Sequence, residues 1–364
     1  MRTARAWWQI FRAIGGGMRA GRQGDALFRY FVLKSLDHMG LFQYLDEPRS
    51  YGEILSRFSF VDGAYTQDVL GTIVNDSKNV IRMNSEQYER NPDEPIPNLD
   101  DIMNQTDPRI KPMVLMAESM SGNILDRMTD HRVDLPEVFE REENKVVNMF
   151  HELLGKDVYS KIRSGVFAYL PRKELAWMRG KKFLDIGCGS GKETAEIWLM
   201  FDGDIQITAI DPVPSMIQLA SENFERFVAE IEPEHPLVSD VNKPVFEEGS
   251  ATNLPYADDT FDVSFWAVML HWTSNPRKAI QETIRVVKPG GLIIGSSAYK
   301  PYVNPYTDLV VRSSRNSYGF YWKEDFINWF ENEGLRVEMA TPAGIFRVIN
   351  TPDEMIMHKS RDTV

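Results

Sequence analysis

The sequence predicts an α/β protein whose carboxyl-terminal part is an open sheet with a nucleotide-like ligand site, preceded by a mainly helical amino-terminal part. Three stretches carry that expectation. Phe183, Leu184 and Ile186 form a short apolar run, and Gly187, Gly189 and Gly191 follow before a helical pattern starts near Glu193: a strand, a tight turn and a helix in succession. Ile205 to Ile210 reads as a second apolar strand, and Asp211 follows about 20 residues after the glycines, where such a sheet places the acid that accepts ribose hydroxyls. Far upstream, Leu27, Phe31, Leu33, Leu36 and Met39 recur at helical spacing and stop at Gly40.

The glycine loop is selective about its ligand. A phosphate-cradling loop of the form G-x-x-x-x-G-K-[ST] fails, because Ile186 occupies the first glycine position and Glu193 the position of the magnesium-binding hydroxyl. The dinucleotide fingerprint G-x-G-x-x-G is weakened by Lys192 at its third glycine. What remains is Asp185-x-Gly187-x-Gly189-x-Gly191, which resembles motif I of the class I S-adenosylmethionine-dependent methyltransferases. The resemblance implies that the loop passes under the methionine and ribose of S-adenosylmethionine, and that Asp185 helps hold the cationic aminoacyl end.

Later segments resemble the same family in order. Asp211-Pro212 with Ser215 and Met216 matches its acid and helix start, and Gly249-Ser250-Ala251-Thr252-Asn253-Leu254-Pro255-Tyr256 matches its adenine segment, with Ser250 in place of the usual Asp. Arg285-Val286-Val287-Lys288-Pro289-Gly290-Gly291 matches its turn into the fifth strand. The resemblance therefore implies a Rossmann-like seven-stranded sheet. It also implies a cofactor set of Asp185, Gly187, Cys188, Gly189, Gly191, Asp211, Pro212, Met216, Ser250, Ala251 and Trp266, with S-adenosylhomocysteine as the product.

Toward the amino terminus, two short helices (Ser50 to Phe58, Thr66 to Asn75) precede two small strands around Val80–Met83 and Glu86–Glu89. That order suggests a winged helix, and the text from Asp37 to Leu55 resembles the dimerisation domain of small-molecule O-methyltransferases. Asp68 and Asp76 in the would-be recognition helix favour a structural role over DNA binding. Asn91 to Pro97 reads as a proline-rich linker. The expected domains are residues 1–97 (arm and winged helix), 98–175 (helical linker or lid, rich in Met103, Met113, Met116, Met120 and Met128) and 176–364 (the cofactor-binding domain). Methionines of this kind fill cores or line adaptable pockets.

A formal charge of -12 disfavours a domain that grips nucleic-acid backbone. The single cysteine, Cys188, precludes an intrachain disulfide, and neither it nor His38, His131, His151, His235 and His358 has metal-ligand spacing, so no metal is expected. No apolar run reaches membrane-span length, and a cytoplasmic protein is the expectation. The basic, aromatic stretch over residues 1–22 suits either packing on a neighbouring subunit or a weak membrane-surface contact.

Methyl transfer from a sulfonium is an in-line displacement that chiefly needs alignment. Acceptors in this fold lie near the ends of the first and fourth strands, so the fourth, Phe261 to Trp266, delivers His271 as candidate general base. Tyr299, Tyr302, Tyr306, Tyr318, Tyr321 and Trp322 suggest an apolar or aromatic acceptor. The resulting expectation is a homodimeric methyltransferase acting on a small, rather apolar molecule at oxygen. Carbon methylation of a quinone-like or lipid acceptor is the first alternative, and a ligand-sensing regulator with a vestigial cofactor site the second.

Overall fold

The computed structural model describes residues 24–104, 111–129, 157–314, 316–340 and 344–352. The amino-terminal arm, Pro108, Pro136, His131, His151 and His358 lie outside the described residues. The chain forms two compact units, one of Met1–Gly17, Glu142–Tyr302 and Phe320–Val364, the other of Met18–Arg141 and Val303–Gly319. This partition departs from the boundaries expected at 97 and 175, because a segment late in the sequence belongs to the amino-terminal unit.

In that unit the helix over residues 24–38 ends at Gly40, whose φ of 83° is left-handed and open to glycine at little cost. After the short helix Leu41–Tyr44, strand β1 (Arg49–Ser50) leads into helix Tyr51–Phe58. Ser50 caps it: its hydroxyl accepts from the Glu53 amide, and the Glu53 carboxylate accepts from the Ser50 amide at 2.8 Å, a reciprocal capping box. Helix Gly63–Val74 follows, capped by Asp62, and then strands β2 (Ile81–Asn84) and β3 (Gln87–Arg90). The three strands pair antiparallel in the order β1-β3-β2. With two residues, β1 is too short for any period-2 signal, and the sequence reading missed it.

The late segment is the helix Pro305–Ser313, which buries Leu309, Val310 and Val311. Within its unit, the buried Tyr65 hydroxyl donates to the Leu309 carbonyl at 2.6 Å, the Tyr306 hydroxyl donates to Asp76 at 2.8 Å, and Arg312 pairs with Asp68 at 2.7 Å. Met120 and Met128, on the helix Lys111–Met128, are core residues there.

The other unit is built on β4 (Lys182–Ile186), β5 (Gln206–Asp211), β6 (Val245–Glu248), β7 (Phe261–Ala267), β8 (Val287–Ser296), β9 (Val337–Ala340) and β10 (Ile345–Ile349). Their order is β6-β5-β4-β7-β8-β10-β9. β6, β5, β4, β7 and β8 are parallel, and β10 runs antiparallel to both its neighbours. Alternate residues serve opposite faces: Phe183, Val263, Phe265 and Ile294 join one apolar core, Leu184, Ile186, Trp266 and Ile293 the other. Burial on both faces explains why the strands read as continuous apolar runs. Helices Asp157–Tyr169, Lys192–Met200 and Pro214–Ile231 supply the first core, and Pro276–Val286 and Lys323–Glu331 the second. The last hairpin starts at Val337, since Gly334 takes a φ of 76° and turns the chain before the strand. The strand order reverses between β4 and β7, and in open α/β sheets the crevice beyond the carboxyl ends at such a point is where ligands bind.

Candidate active site

Two loops meet at this crevice. After β4 the chain folds back on β5: the amides of Gly187 and Cys188 both donate to the Ile210 carbonyl, at 2.7 and 3.0 Å. Gly187, Gly189 and Gly191 all have positive φ, at 76°, 53° and 79°. A Cβ on Gly187 would stand 2.9 Å from the Met269 Cβ, and one on Gly191 2.6 Å from the Ala220 Cβ. These two glycines thus serve close packing within the protein as well as the turn. The Gly187 approach also places the β4 exit directly against the β7 exit, two residues from His271.

Asp211 ties the loop to the next strand. Its carboxylate accepts from the Gly189 amide and from the Val213 amide, each at 3.0 Å. Burial raises its pKa to about 6. A carboxylate accepts about four hydrogen bonds, so capacity remains for a pair of hydroxyls. Asp185, 1% exposed, accepts from the Thr194 hydroxyl at 2.7 Å, while its second oxygen has no hydrogen-bond partner among the described residues. Burial raises its pKa to about 7, against the opposing pull of Thr194 and Arg163. A turn of glycines beside one buried carboxylate oxygen that has no hydrogen-bond partner among the described residues, and beside a second acid on the neighbouring strand, fits a ligand carrying an ammonium group and a ribose. These residues would therefore hold S-adenosylmethionine.

The remaining members of the expected set divide. Pro212 follows Asp211 at the strand end, and Met216 is buried in the first turns of helix Pro214–Ile231. Ala251 is buried, whereas the exposed Ser250 turns its hydroxyl to Thr252 of its own loop at 2.9 Å. Arg285 anchors this loop by donating to the carbonyls of Leu254 and Tyr256, at 3.0 and 2.7 Å. The Cys188 thiol is buried and held far above its ordinary pKa by burial, which removes it as a nucleophile. Trp266 is corrected to a core residue: it is 0% exposed and its ring meets those of Phe330 and Phe346. The alternation of β7 points it away from the Phe265 face and under the helix Lys323–Glu331.

β7 leaves the sheet through Val268, a β-branched residue at φ 51° whose amide donates to the Ser296 carbonyl at 2.9 Å. Such a conformation costs about 1–3 kcal/mol and marks a constrained functional loop. The turn Leu270–Trp272 then presents His271. The imidazole is 4% exposed and stacks on Phe320 at 4.2 Å, and its Nδ1 has no partner among the described residues. Burial pushes its pKa down to about 3, so it is neutral over the physiological range. The Tyr299 hydroxyl is also buried without a partner among the described residues, and Ser297 hydrogen-bonds Tyr321. Sequence reasoning missed Arg163, Thr194 and Met269. Thr194 had a signal in its place in the first turn of the helix after the glycines, whereas Arg163, a helix and a strand earlier, had none. Among the described residues no group of three or more His, Cys, Asp or Glu is placed to hold a metal ion, and no helix is long and apolar enough to cross a membrane.

Comparison with known proteins fits this geometry. Residues 184–295 match a family described as a methyltransferase domain. A demethylmenaquinone methyltransferase of Desulfitobacterium hafniense (strain Y51) is 32% identical over 124 residues, 34% of this chain and 44% of that protein. One of Paenarthrobacter aurescens (strain TC1) is 27% identical over 183 residues, 48% of this chain and 64% of that protein. The chain thus spans less than two thirds of the length of either relative. In fold, the SeMet-substituted CurJ carbon methyltransferase superposes with a TM-score of 0.71 at 12% identity, covering 96% of this chain and 97% of that one. The citrinin polyketide synthase CMeT domain gives 0.68 at 12% identity, covering 97% of each. The seven-stranded sheet is Rossmann-like, with the fold of the class I methyltransferases, and a helical amino-terminal unit precedes it.

Proposed function

We propose that the protein transfers a methyl group from S-adenosylmethionine to a carbon atom of a small, rather apolar acceptor. The observation that carries the reading is the contact of Gly187 with Met269, which sets the open oxygen of Asp185 and the carboxylate of Asp211 on the same sheet edge as His271. Carbon is preferred to the oxygen suggested by sequence because the relatives that share residues of the sheet domain include C-methyltransferases, and the solved folds that superpose on both units with TM-scores of 0.71 and 0.68 are carbon methyltransferases. The methyl donor supplies an electrophilic methyl group. The chain's own part is to align the acceptor and take its proton. A neutral His271 is in the state that accepts a proton, and the imidazolium it becomes is stabilised in its buried setting only beside an anion. That pairing selects acceptors whose proton leaves a delocalised anion, such as a phenol or a carbonyl compound with an acidic C–H. The Tyr299 hydroxyl, which has no partner among the described residues, is available to hold an acceptor oxygen.

The order of helices and the three-stranded sheet in the amino-terminal unit support a winged-helix-type module. Helix Gly63–Val74 carries Asp68 and no Lys or Arg, which supports self-association over DNA binding. The test is transfer from carbon-labelled S-adenosylmethionine into a fractionated cell extract, with NMR assigning the labelled methyl. A carbon-bound methyl in the small-molecule fraction is expected; a methoxy product would restore oxygen as acceptor, and absence of any transfer would refute the enzyme reading. His271→Ala is expected to lower kcat at least a hundredfold with donor affinity changed less than threefold; equal losses in both would remove the base role.

A further inference from the structure

Behind the glycine loop lies a concentration of buried charge. Arg163, from helix Asp157–Tyr169, is 5% exposed and grips Glu196 with two hydrogen bonds of 2.8 Å, with Glu193 at 3.8 Å. Glu193 and Glu196 flank Thr194, whose hydroxyl is committed to Asp185, and the Asp211 carboxylate on β5 acts electrostatically on both Asp185 and the Cys188 thiol. Among the described residues, three carboxyl groups, those of Glu196, Glu193 and Asp185, therefore share the Arg163 guanidinium. An oxygen of Asp185 and one of Glu193 are buried without hydrogen-bond partners among the described residues. Burial of uncompensated carboxylates is costly, and such groups take up protons instead. The directions agree: burial lifts Glu193 well above its ordinary range, Asp185 to about 7 and Asp211 to about 6.

We propose that this cluster, in which the acids outnumber the cations among the described residues, exchanges a proton for the ammonium group of the methyl donor, so that donor binding expels a proton and Arg163, Glu193 and Glu196 tune affinity for the aminoacyl end. The inference rests on the proposed donor. Because the acids interact, the proton belongs to the cluster rather than to one residue. The sign follows from the raised values. In the free protein the cluster is protonated below its midpoint, the bound cation favours the ionised form, and affinity falls as pH drops through the midpoint. One proton titrating near pH 7 weakens donor binding roughly fifteenfold between pH 7.0 and 5.5. The donor's own α-amino group titrates at about 7.7–8.0, above that window.

The experiment is calorimetric titration of S-adenosylmethionine into the full-length protein between pH 5.5 and 7.0, in buffers of differing ionisation enthalpy, which read proton release directly. Close to one proton released per donor at pH 6 is expected. Methylthioadenosine, which shares the nucleoside but lacks the ammonium, is expected to release less than half as much. Thr194→Val removes a donor to ionised Asp185 and should move the midpoint up; Glu193→Gln removes one acid and should move it down. Donor binding that is independent of pH with no proton released overturns the inference while leaving the methyltransferase reading intact, as does equal release with methylthioadenosine. Absence of donor binding at every pH overturns that reading itself. The wild-type measurement decides the matter even if a variant does not fold.

Discussion

Gly187→Ala separates the two demands placed on that residue. The first is conformational: a left-handed φ of 76° costs an L-residue about 1–2 kcal/mol. The second is steric, because the new methyl would lie 2.9 and 3.0 Å from Cβ and Cγ of Met269, well inside the usual carbon separation of about 3.5–4.0 Å. Cβ moves only with the backbone, so relief displaces the loop that carries His271. Overpacking of this kind costs about 1–3 kcal/mol, giving a total of about 2–5 kcal/mol. Gly290→Ala is the internal control: its φ is 77° but a Cβ there meets nothing within 4 Å, so it should show the conformational cost alone. Urea unfolding of Gly187→Ala, Gly290→Ala, Met269→Gly, which removes both contacting carbons, and the double variant Gly187→Ala/Met269→Gly completes the comparison. A favourable coupling of about 1–3 kcal/mol between the two site substitutions is expected. If alanine at 187 is as harmful in the Met269→Gly background as in the wild type, the two loops do not meet as described, and the assembly of the site fails with them.

Trp266→Phe removes no hydrogen bond, since the indole nitrogen has no partner among the described residues, and donor affinity measured by calorimetry should stay within twofold of wild type. Tyr65→Phe leaves the Leu309 carbonyl short of a donor and should destabilise the protein by about 1–2 kcal/mol in denaturant unfolding. Arg285→Met frees the Leu254–Tyr256 segment and should weaken donor binding severalfold. It should also alter acid stability. Hydrogen bonds from Arg285 hold Glu282 down to about 2, so the contribution is complete above the ordinary glutamate range and is lost as pH falls toward 2. The deficit of Arg285→Met relative to wild type should therefore be full at pH 7 and shrink below pH 4, as read by thermal unfolding across pH.

The sheet was legible because its strands are buried on both faces and punctuated by glycines that local geometry demands, as at Gly187 and Gly191. Asp211 was legible from its distance to that loop. Trp266 was misplaced because a motif gives the end of a strand but not which face a residue takes there, and the face depends on β7 pairing with both β4 and β8. Ser250 stands where the resemblance places an adenine contact, yet its hydroxyl is satisfied by a residue two positions on, a competition that short polar side chains often win. Arg163 was invisible because its partners, Glu193 and Glu196, lie some 30 residues away on another helix.

The passage of residues 303–319 into the amino-terminal unit bears on how the protein could be cut apart. No single truncation point yields the sheet unit alone, since any fragment running from residue 142 to the carboxyl end still carries the helix Pro305–Ser313, with Leu309, Val310 and Val311 stripped of their own core. Replacing residues 303–319 with a short polar loop is what would make the sheet unit separable. An amino-terminal fragment ending at 141 would in turn lack the helix that Tyr65 and Asp76 bind. The carboxyl half of the gene thus encodes a helix that the amino-terminal unit needs, so a recombination or proteolytic cut between the halves disrupts the amino-terminal unit and strands that helix on the other fragment.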